Sequence, residues 1–283
     1  MFIADSQVHI WRPNTPERPW RVGVESHREP PLEEDELLRE MDAAGVHRAV
    51  LVPTFIDNGR NDLVLEAARL HPDRFAAMVR VDHLDASASR DLIHTWRKHP
   101  GMRGFRYSFY HGFETTPTLT DGRLDWLWEI AEEAGLPIML HMPHSMLHLI
   151  DPIAERYSGL RLMMDHLSMP ARSKDENAFR DLDQLLALAR WPNVAVKASA
   201  LPLHTDDPYP YLRLHPVVRR VYDKFGPQRM FWGSDLSRLS CTYRQCVTMF
   251  TEEMRWLSTS DLDWIMGRGL CEWLDWKLPS GAS

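Results

Sequence analysis

The chain has 283 residues, of which 44% are hydrophobic and 26% charged, and its formal net charge at pH 7 is −7. This composition is that of an ordinary folded protein, and the acidic balance argues against a sequence-independent nucleic-acid binder, whose surface would be basic. No apolar run reaches the roughly 20 residues of a membrane-spanning helix, and the opening residues do not resemble a signal peptide. Three cysteines without CxxC spacing are expected to be free thiols of a cytoplasmic protein.

Short apolar or β-branched runs alternate along the chain with amphipathic stretches of helical period. The runs predict eight strands, near Phe2–His9, Arg48–Thr54, Phe75–Val81, Met102–Phe109, Leu136–Met142, Leu160–His166, Asn193–Ser199 and Arg229–Asp235. Helices are predicted over Pro31–Gly45 and Leu124–Gly135, each of which ends on a glycine. Eight βα units in about 250 residues predict a single-domain, distorted (β/α)₈ barrel over residues 1–283. A doubly wound open sheet with fewer strands is the alternative.

Two long connections interrupt this alternation. Trp11–Pro31 is rich in Pro and Arg and contains two tryptophans, and Ser199–Pro216 follows the seventh predicted strand. Loops of that length within a compact domain are usually functional. Both are expected on the carboxyl-terminal rim of the barrel, where they would cover a substrate.

Polar residues end most of the predicted strands, at the rim where barrel enzymes keep their active sites. They are Asp5, Gln7, His9, Arg106, His141, His144, Asp165, His166, Lys197 and Asp235. Because side chains alternate along a strand, Asp5, Gln7 and His9 are expected on one face. Any one of these residues could be structural, as a helix cap or a snorkelling lysine. Desolvating all of them together would be costly without a function, so the joint pattern predicts one catalytic pocket.

Six segments occur in order across nearly the whole chain: DSQVHIW, GFR, LPIMLHMPH, MMDHLSMP, NVAVKASAL and MFWGSDLSR. Together they resemble the amidohydrolase superfamily, in particular its amidohydrolase-2 branch of lactonases and decarboxylases. The resemblance implies that His9, His141 and Asp235 hold one divalent metal ion, with His166 beside the reacting centre. Gln7 stands where that branch has the first histidine of an HxH pair. Since an amide is a poorer zinc donor than an imidazole, the cofactor is either one zinc ion or none.

Two mechanisms are compatible with these residues. With zinc, the metal activates water and Asp235 takes the proton. Without it, Asp235 is the general base, and His9, His141 and His166 donate hydrogen bonds to the oxyanion.

Arg106 and Lys197 are expected to bind a small anionic substrate, with Gln7 and His144 as further contacts. The predicted function is therefore a lactonase that opens a small carboxylated lactone, such as one from aromatic-ring breakdown. The alternatives are a metal-dependent, non-oxidative decarboxylase of an aromatic or muconate-type acid, and a non-catalytic binding protein. No nucleic-acid or membrane partner is expected, and the resemblance allows a homo-oligomer.

Overall fold

The computed structural model describes residues 1–80, 90, 93–95, 97–110 and 116–281. Eight parallel strands form one sheet, in which each strand pairs with its neighbours in chain order. They are β1 (Ala4–Val8), β2 (Arg48–Leu51), β3 (Phe75–Val79), β4 (Met102–Ser108), β5 (Ile138–His141), β6 (Leu162–Met164), β7 (Val194–Ser199) and β8 (Met230–Gly233). This unreversed order confirms the (β/α)₈ barrel and excludes the doubly wound alternative.

Helices connect the strands in the described part of the chain. They are α1 (Glu34–Ala44), α2 (Asp62–Leu70), α3 (Thr116–Thr120), α4 (Asp125–Ala134), α5 (Asp151–Arg156), α6 (Glu176–Phe179), α7 (Leu182–Ala187), α8 (Leu214–Phe225), α9 (Tyr243–Thr248), α10 (Thr259–Asp263) and α11 (Gly269–Trp273). None of these described helices combines the length and the apolar character that crossing a bilayer requires.

The two helices predicted from their glycine endings are confirmed. Gly45 follows α1 with φ of 78°, a left-handed conformation that glycine adopts without steric cost. Gly135 ends α4 in the same way, with φ of 64°. The first helix begins at Glu34 rather than at the predicted Pro31. The predicted end of the third strand, residue 81, lies outside the described residues.

The strands bury both of their faces, as expected for a parallel sheet covered by helices. Val50 and Val52 pack with side chains from other strands in the barrel interior. Ala49 and Leu51 alternate with them and pack in the layer between the sheet and the helices. Small or flexible side chains fill the interior, so the barrel core is closed beneath its mouth.

The first strand departs from regular alternation. Ala4 packs inside the barrel and Val8 outside, although residues four apart on a regular strand share a face. The pairing of β1 with β2 shifts register between Asp5 and Val8, because β1 advances three residues there while β2 advances two. The additional residue in β1 changes which side chains face the barrel interior. The expectation that Asp5 shares a face with Gln7 and His9 is therefore wrong. Asp5 instead accepts hydrogen bonds from Ser234 and from Tyr243 of α9, at 2.8 Å for the Tyr243 hydroxyl.

The first and last strands meet closely at this point. The amide of Asp235 donates to the carbonyl of Gln7 at 3.0 Å. A Cβ atom on Gly233 would lie 3.0 Å from the Cβ of Ser199 and would collide with the Ser6 hydroxyl. The absence of a side chain at Gly233 therefore lets the two ends of the sheet approach each other.

Candidate active site

Four of the predicted catalytic residues lie together at the carboxyl ends of the strands. His9 Nε2 is 3.4 Å from Asp235 Oδ1, and the rings of His141 and His166 are 5.2 Å apart, centroid to centroid. His9, His166 and Asp235 are buried, and His141 is partly exposed. The structure thus places the side chains from strands β1, β5, β6 and β8 at one mouth.

Two of these side chains are positioned by unusual backbone. Asp235, directly after β8, has φ of 55°, and His166, Leu167 and Ser168 after β6 have φ values between 50° and 54°. Left-handed conformations of non-glycine residues cost roughly 1 kcal/mol or more each and are concentrated at functional sites. The strands predicted to run through His166 and Asp235 therefore end earlier, and sharp turns present both residues.

Behind the mouth lies a buried network of charges. Lys197 Nζ donates to Asp165 Oδ1 at 2.8 Å and to Gln7 Oε1, and it lies 3.4 Å from the sulfur of Met139. Arg106 Nε donates to the other oxygen of Asp165 at 3.2 Å. Burial would raise the pKa of Asp165, but Lys197 and Arg106 outweigh it and lower that pKa to about 2. The carboxylate is therefore ionised at neutral pH.

This network bears on the roles expected for two cations. Lys197, predicted to contact the substrate, is completely buried, and its three donors all face protein atoms. Arg106 uses only Nε in its pair with Asp165, and its terminal nitrogens have no partner among the residues described here. Only Arg106 of the two thus keeps donors for a ligand.

His9 is held by partners at both nitrogens. Nδ1 lies 2.7 Å from the carbonyl of Val52 and must donate to it, and Nε2 lies 3.2 Å from the amide nitrogen of Gln7. Burial, together with the nearby charge of Arg106, lowers the pKa of His9 to about 3. The ring is therefore neutral, with its proton on Nδ1 and its Nε2 lone pair directed to Gln7.

The other two histidines have serine partners. His141 Nδ1 lies 3.0 Å from Ser108 Oγ, and His166 Nδ1 lies 2.8 Å from Ser199 Oγ. Burial lowers the pKa of His166 to about 4 and moves that of His141 well below its ordinary value. A serine hydroxyl that donates to Nδ1 leaves the proton on Nε2. Both rings can then act as neutral hydrogen-bond donors to a substrate.

The ligands that the resemblance implied do not fit a metal ion in this arrangement. The 3.4 Å between His9 Nε2 and Asp235 Oδ1 would let both atoms touch one ion. However, the lone pair of His9 is already taken by Gln7, and Lys197 places a positive charge on the other side of that amide. Within the described ranges, no three His, Cys, Asp or Glu side chains are grouped so that they could hold a metal.

Asp235 presents an unsatisfied acceptor at the mouth. Its Oδ1 atom is buried and has no hydrogen-bond partner in the described part of the protein. A buried carboxylate oxygen without a partner is costly, so it is expected to meet a water molecule or a ligand.

His144, expected to contact substrate, is placed elsewhere. It is 1% exposed, and its Nε2 lies 2.9 Å from the carbonyl of Leu167, in the turn that carries His166. The structure therefore uses His144 to support that turn and does not bring it to the mouth.

Sequence reasoning missed two aromatic residues of the site. His27 packs edge-on against both His9 and Trp11, and its Nδ1 lies 3.2 Å from Ser237 Oγ. Tyr110 lies over His141, with 4.3 Å between the ring centroids. The loop that holds His27 had been singled out by its length, but neither side chain belongs to a strand-end pattern.

The loop between β1 and α1 is fastened over this rim. Trp11 is fully buried, and Arg18 forms ion pairs with Asp57 and with Asp62, the latter at 2.6 Å. Because these acids belong to the connection between β2 and α2 and to α2 itself, Arg18 ties the loop to the neighbouring βα unit. The loop is thus ordered by specific contacts.

The concave surfaces of the described residues do not all belong to this site. A small cavity beside Arg106 is lined by Val52, Pro53, Phe55, Arg80 and Ser108. Another cavity, of about 870 Å³, lies at the opposite end of the barrel, against Arg48, Arg74 and Trp276. Residues 81–89 and 111–115, which follow β3 and β4, lie outside the described residues. The position of the strand-end residues, rather than cavity size, therefore defines the site.

Known proteins share both the sequence pattern and the fold. The sequence profile described as Amidohydrolase matches residues 4–268. An L-fucono-1,5-lactonase of Burkholderia ambifaria is 27% identical over 259 residues, which cover 84% of this chain and 82% of that protein. A 4-sulfomuconolactone hydrolase of Hydrogenophaga intermedia is 26% identical over 239 residues, covering 82% of this chain and 73% of that protein.

Solved structures agree on the fold. An amidohydrolase from Burkholderia multivorans, crystallised with bound zinc, superposes with a TM-score of 0.84 at 20% identity, covering 99% of this chain and all of that one. A probable 2-pyrone-4,6-dicarboxylic acid hydrolase from Acinetobacter baumannii, with citric acid bound, gives a TM-score of 0.80 at 17% identity, covering 97% and 100%. At these identities the likeness shows the barrel alone.

Proposed function

The chain belongs to the amidohydrolase family, and from that premise we propose that it is a hydrolase that opens a small carboxylated lactone by attack of water. The observation that carries the proposal is the buried Oδ1 of Asp235, which has no hydrogen-bond partner among the described residues and lies beside the histidines of the mouth. The similarity to two proteins named as lactone hydrolases supports the proposal that the bond cleaved is the ester bond of a lactone ring.

Asp235 is suited to act as the general base. Its free oxygen can accept a hydrogen bond from a water molecule and take the proton as that water attacks the lactone carbonyl. The backbone of Asp235 is held in place because its amide donates to the Gln7 carbonyl at 3.0 Å. The proton passes from water to Asp235 as the water oxygen bonds to the carbonyl carbon. Asp235 then gives this proton to the ring oxygen as the bond between that oxygen and the carbonyl carbon breaks, so the ring oxygen leaves as the hydroxyl of the opened acid.

The histidines supply stabilisation for the negative charge on the carbonyl oxygen. His141 and His166 each have one nitrogen on a serine, which leaves Nε2 for the substrate. Neutral imidazole donors inside a buried mouth can stabilise an oxyanion without first having to reorient. His9 belongs to the same rim, but Gln7 and Val52 already occupy its two nitrogens.

Arg106 provides the site for a negatively charged substituent. Among the described residues its terminal nitrogens have no partner, so they can form a forked pair with a carboxylate, and the small cavity beside it is also lined by Ser108. The sulfo group in the name of the Hydrogenophaga relative fits an anionic lactone. We therefore place the carboxylate of the substrate at Arg106.

The proposal is tested by incubating the protein with a panel of lactones, some with a carboxylate and some without, and by measuring the acid that ring opening releases. We expect Asp235→Asn to reduce kcat by about 10²–10⁴-fold, because an amide cannot take a proton from water. The matched control is Asp223→Asn, an exposed acid paired with Arg219, which should leave turnover unchanged.

Two outcomes would contradict the proposal. An Asp235→Asn variant that keeps more than about a tenth of the wild-type rate would remove the general base. Release of carbon dioxide from an aromatic or muconate-type acid, without ring opening of any lactone, would instead establish the decarboxylase alternative. The fold alone allows it, since a 2,6-dihydroxybenzoate decarboxylase from Rhizobium shares the barrel at a TM-score of 0.69 and 14% identity.

A further inference from the structure

Lys197 is a buried cation that is joined to His9 by two hydrogen bonds, through the side-chain amide of Gln7. It projects from β7 into the barrel and is 0% exposed. An ammonium group has three N–H donors and no acceptor, and here it meets three acceptors: Gln7 Oε1, Asp165 Oδ1 and the sulfur of Met139. The complete match of donors to acceptors indicates that the side chain is a charged ammonium in a site built for it.

The ammonium fixes the orientation of the Gln7 amide. Because Lys197 can only donate, the oxygen of Gln7 must face it, and the NH₂ group must face His9 Nε2, 3.2 Å away. The opposite nitrogen of His9 donates to the Val52 carbonyl at 2.7 Å. In the series of hydrogen bonds from Asp165 through Lys197, Gln7 and His9 to Val52, each donor thus faces an acceptor.

We propose that the Lys197 ammonium, a permanent cation behind the barrel mouth, orients the side-chain amide of Gln7 and thereby holds His9 in the Nδ1–H form. Because Gln7 then donates to His9 Nε2, this nitrogen cannot coordinate a metal ion. Lys197 and Gln7 are then positioning residues, since neither needs to touch the substrate. The inference rests on the proposed function only in placing His9 in the active site, and it does not depend on the substrate.

The arrangement of buried charge supports this reading. Asp165 lies between two cations, with Lys197 Nζ at 2.8 Å and Arg106 Nε at 3.2 Å from its oxygens. The positive charge of Lys197 is therefore held beside Gln7 by a buried ion pair. A divalent ion bound by His9 and Asp235 would add two positive charges next to an ammonium that cannot leave, which is unfavourable in a buried site.

The first test is zinc binding, measured by titration calorimetry and by metal content after dialysis against chelator. We expect the wild-type protein to retain no stoichiometric zinc. Gln7→His supplies an imidazole but keeps the ammonium beside it, so it should gain little. Gln7→His combined with Lys197→Met should bind zinc at least about tenfold more tightly than Gln7→His alone, an effect of the size seen when the surroundings of a metal ligand change.

Two results of this test would overturn the inference. Wild-type protein that retains one zinc ion through dialysis would show that the ammonium does not exclude it. A Gln7→His variant that binds zinc as tightly as the double variant would show that Lys197 has no part. Lys174→Met is the matched control, because that lysine is exposed and pairs only with Asp206.

The second test needs no substrate, and its first measurement uses the wild-type protein. The ¹⁵N chemical shifts of His9 in the wild-type protein report which ring nitrogen carries the proton. We expect the Nδ1–H form, and we expect Lys197→Met to produce a mixture of the two forms, because Gln7 is then free to turn. A wild-type His9 with its proton on Nε2 would overturn the proposal, whereas failure of every lactone assay would leave this result untouched and refute only the proposed function.

Discussion

At the scale of single residues, Arg106 illustrates how one side chain divides its donors between the protein and a ligand. Its Nε atom is paired with the fully buried Asp165, and its guanidinium lies 6.0 Å from the ring centre of Phe55. This anchoring presets the direction of the remaining donors, so less side-chain entropy is lost when an anion binds. Arg106 therefore combines an internal ion pair with the proposed binding of a carboxylate.

Replacing Arg106 by Ala is expected to raise KM for a carboxylated lactone by roughly 30-fold or more, which corresponds to about 2 kcal/mol or more for a lost buried partner. Steady-state kinetics on a carboxylated lactone and on its uncharged counterpart provide the measurement and its control. The uncharged lactone should show a much smaller change. Equal losses on both substrates would mean that Arg106 acts only through Asp165.

The residues that could be predicted from the sequence are those whose role depends on position along a strand. His9, His141, His166 and Asp235 could be predicted to lie together because each ends a strand, and parallel strands bring their carboxyl ends to one rim. The ion pair of Lys197 could not be predicted, because the sequence gives the face on which a side chain lies, but not its partner. That partner, Asp165, belongs to a different strand end and lies 32 residues away in the chain.

At the scale of elements, the connections shape the site more than the strands do. The register shift in β1 moves Asp5 away from Gln7, and the left-handed residues after β6 and β8 redirect His166 and Asp235. Residue type does not predict these conformations, since the left-handed positions are occupied by His166, Leu167, Ser168 and Asp235 rather than by glycine. Strand periodicity therefore predicted the barrel but not the direction of these side chains.

The loop between β1 and α1 offers a test at this scale. Arg18→Ala should free the loop from Asp57 and Asp62, and with it His27, which packs against His9. We expect faster proteolysis within residues 12–31 and a higher KM, because the loop covers the rim. Limited proteolysis and kinetics provide the measurement, with Arg39→Ala as the control, since Arg39 pairs only with the exposed Glu36 of its own helix. Unchanged cleavage would argue that the tryptophans alone hold the loop.

At the scale of the whole molecule, the barrel buries several histidines in the neutral state. Burial is the first cause in each case, and it lowers the pKa of His9 to about 3 and those of His27 and His166 to about 4. In the unfolded chain these groups take up protons near pH 6.5. Asp5 behaves in the opposite way, because its burial raises its pKa to about 6.

The free energy of unfolding is therefore expected to fall as the pH is lowered from 7.5 to 5. Between pH 6.5 and about 4 the unfolded chain binds protons at the three histidines and the folded protein does not. Each histidine therefore lowers the free energy of unfolding by about 1.4 kcal/mol for each pH unit in this range. Asp5 partly offsets this below pH 6, since the folded state then binds its proton more readily. Urea unfolding should show a net loss of about 4–5 kcal/mol at pH 5. Midpoints that agree at the two pH values would contradict the neutral burial of these rings.

Gly233 has a consequence for how such a protein can acquire new substrates. No side chain larger than hydrogen fits where Ser6, Ser199 and this glycine converge, and Asp235 follows only two residues later. The closely packed residues around Gly233, which lie below the proposed base, are therefore intolerant of mutation. Substitutions there are expected to destabilise the barrel before they change substrate specificity. Evolvability resides instead in the two long connections, residues 12–31 and 200–213, where insertions and substitutions leave the strands intact. A library confined to those segments should yield altered lactone preference far more often than one directed at the strand ends.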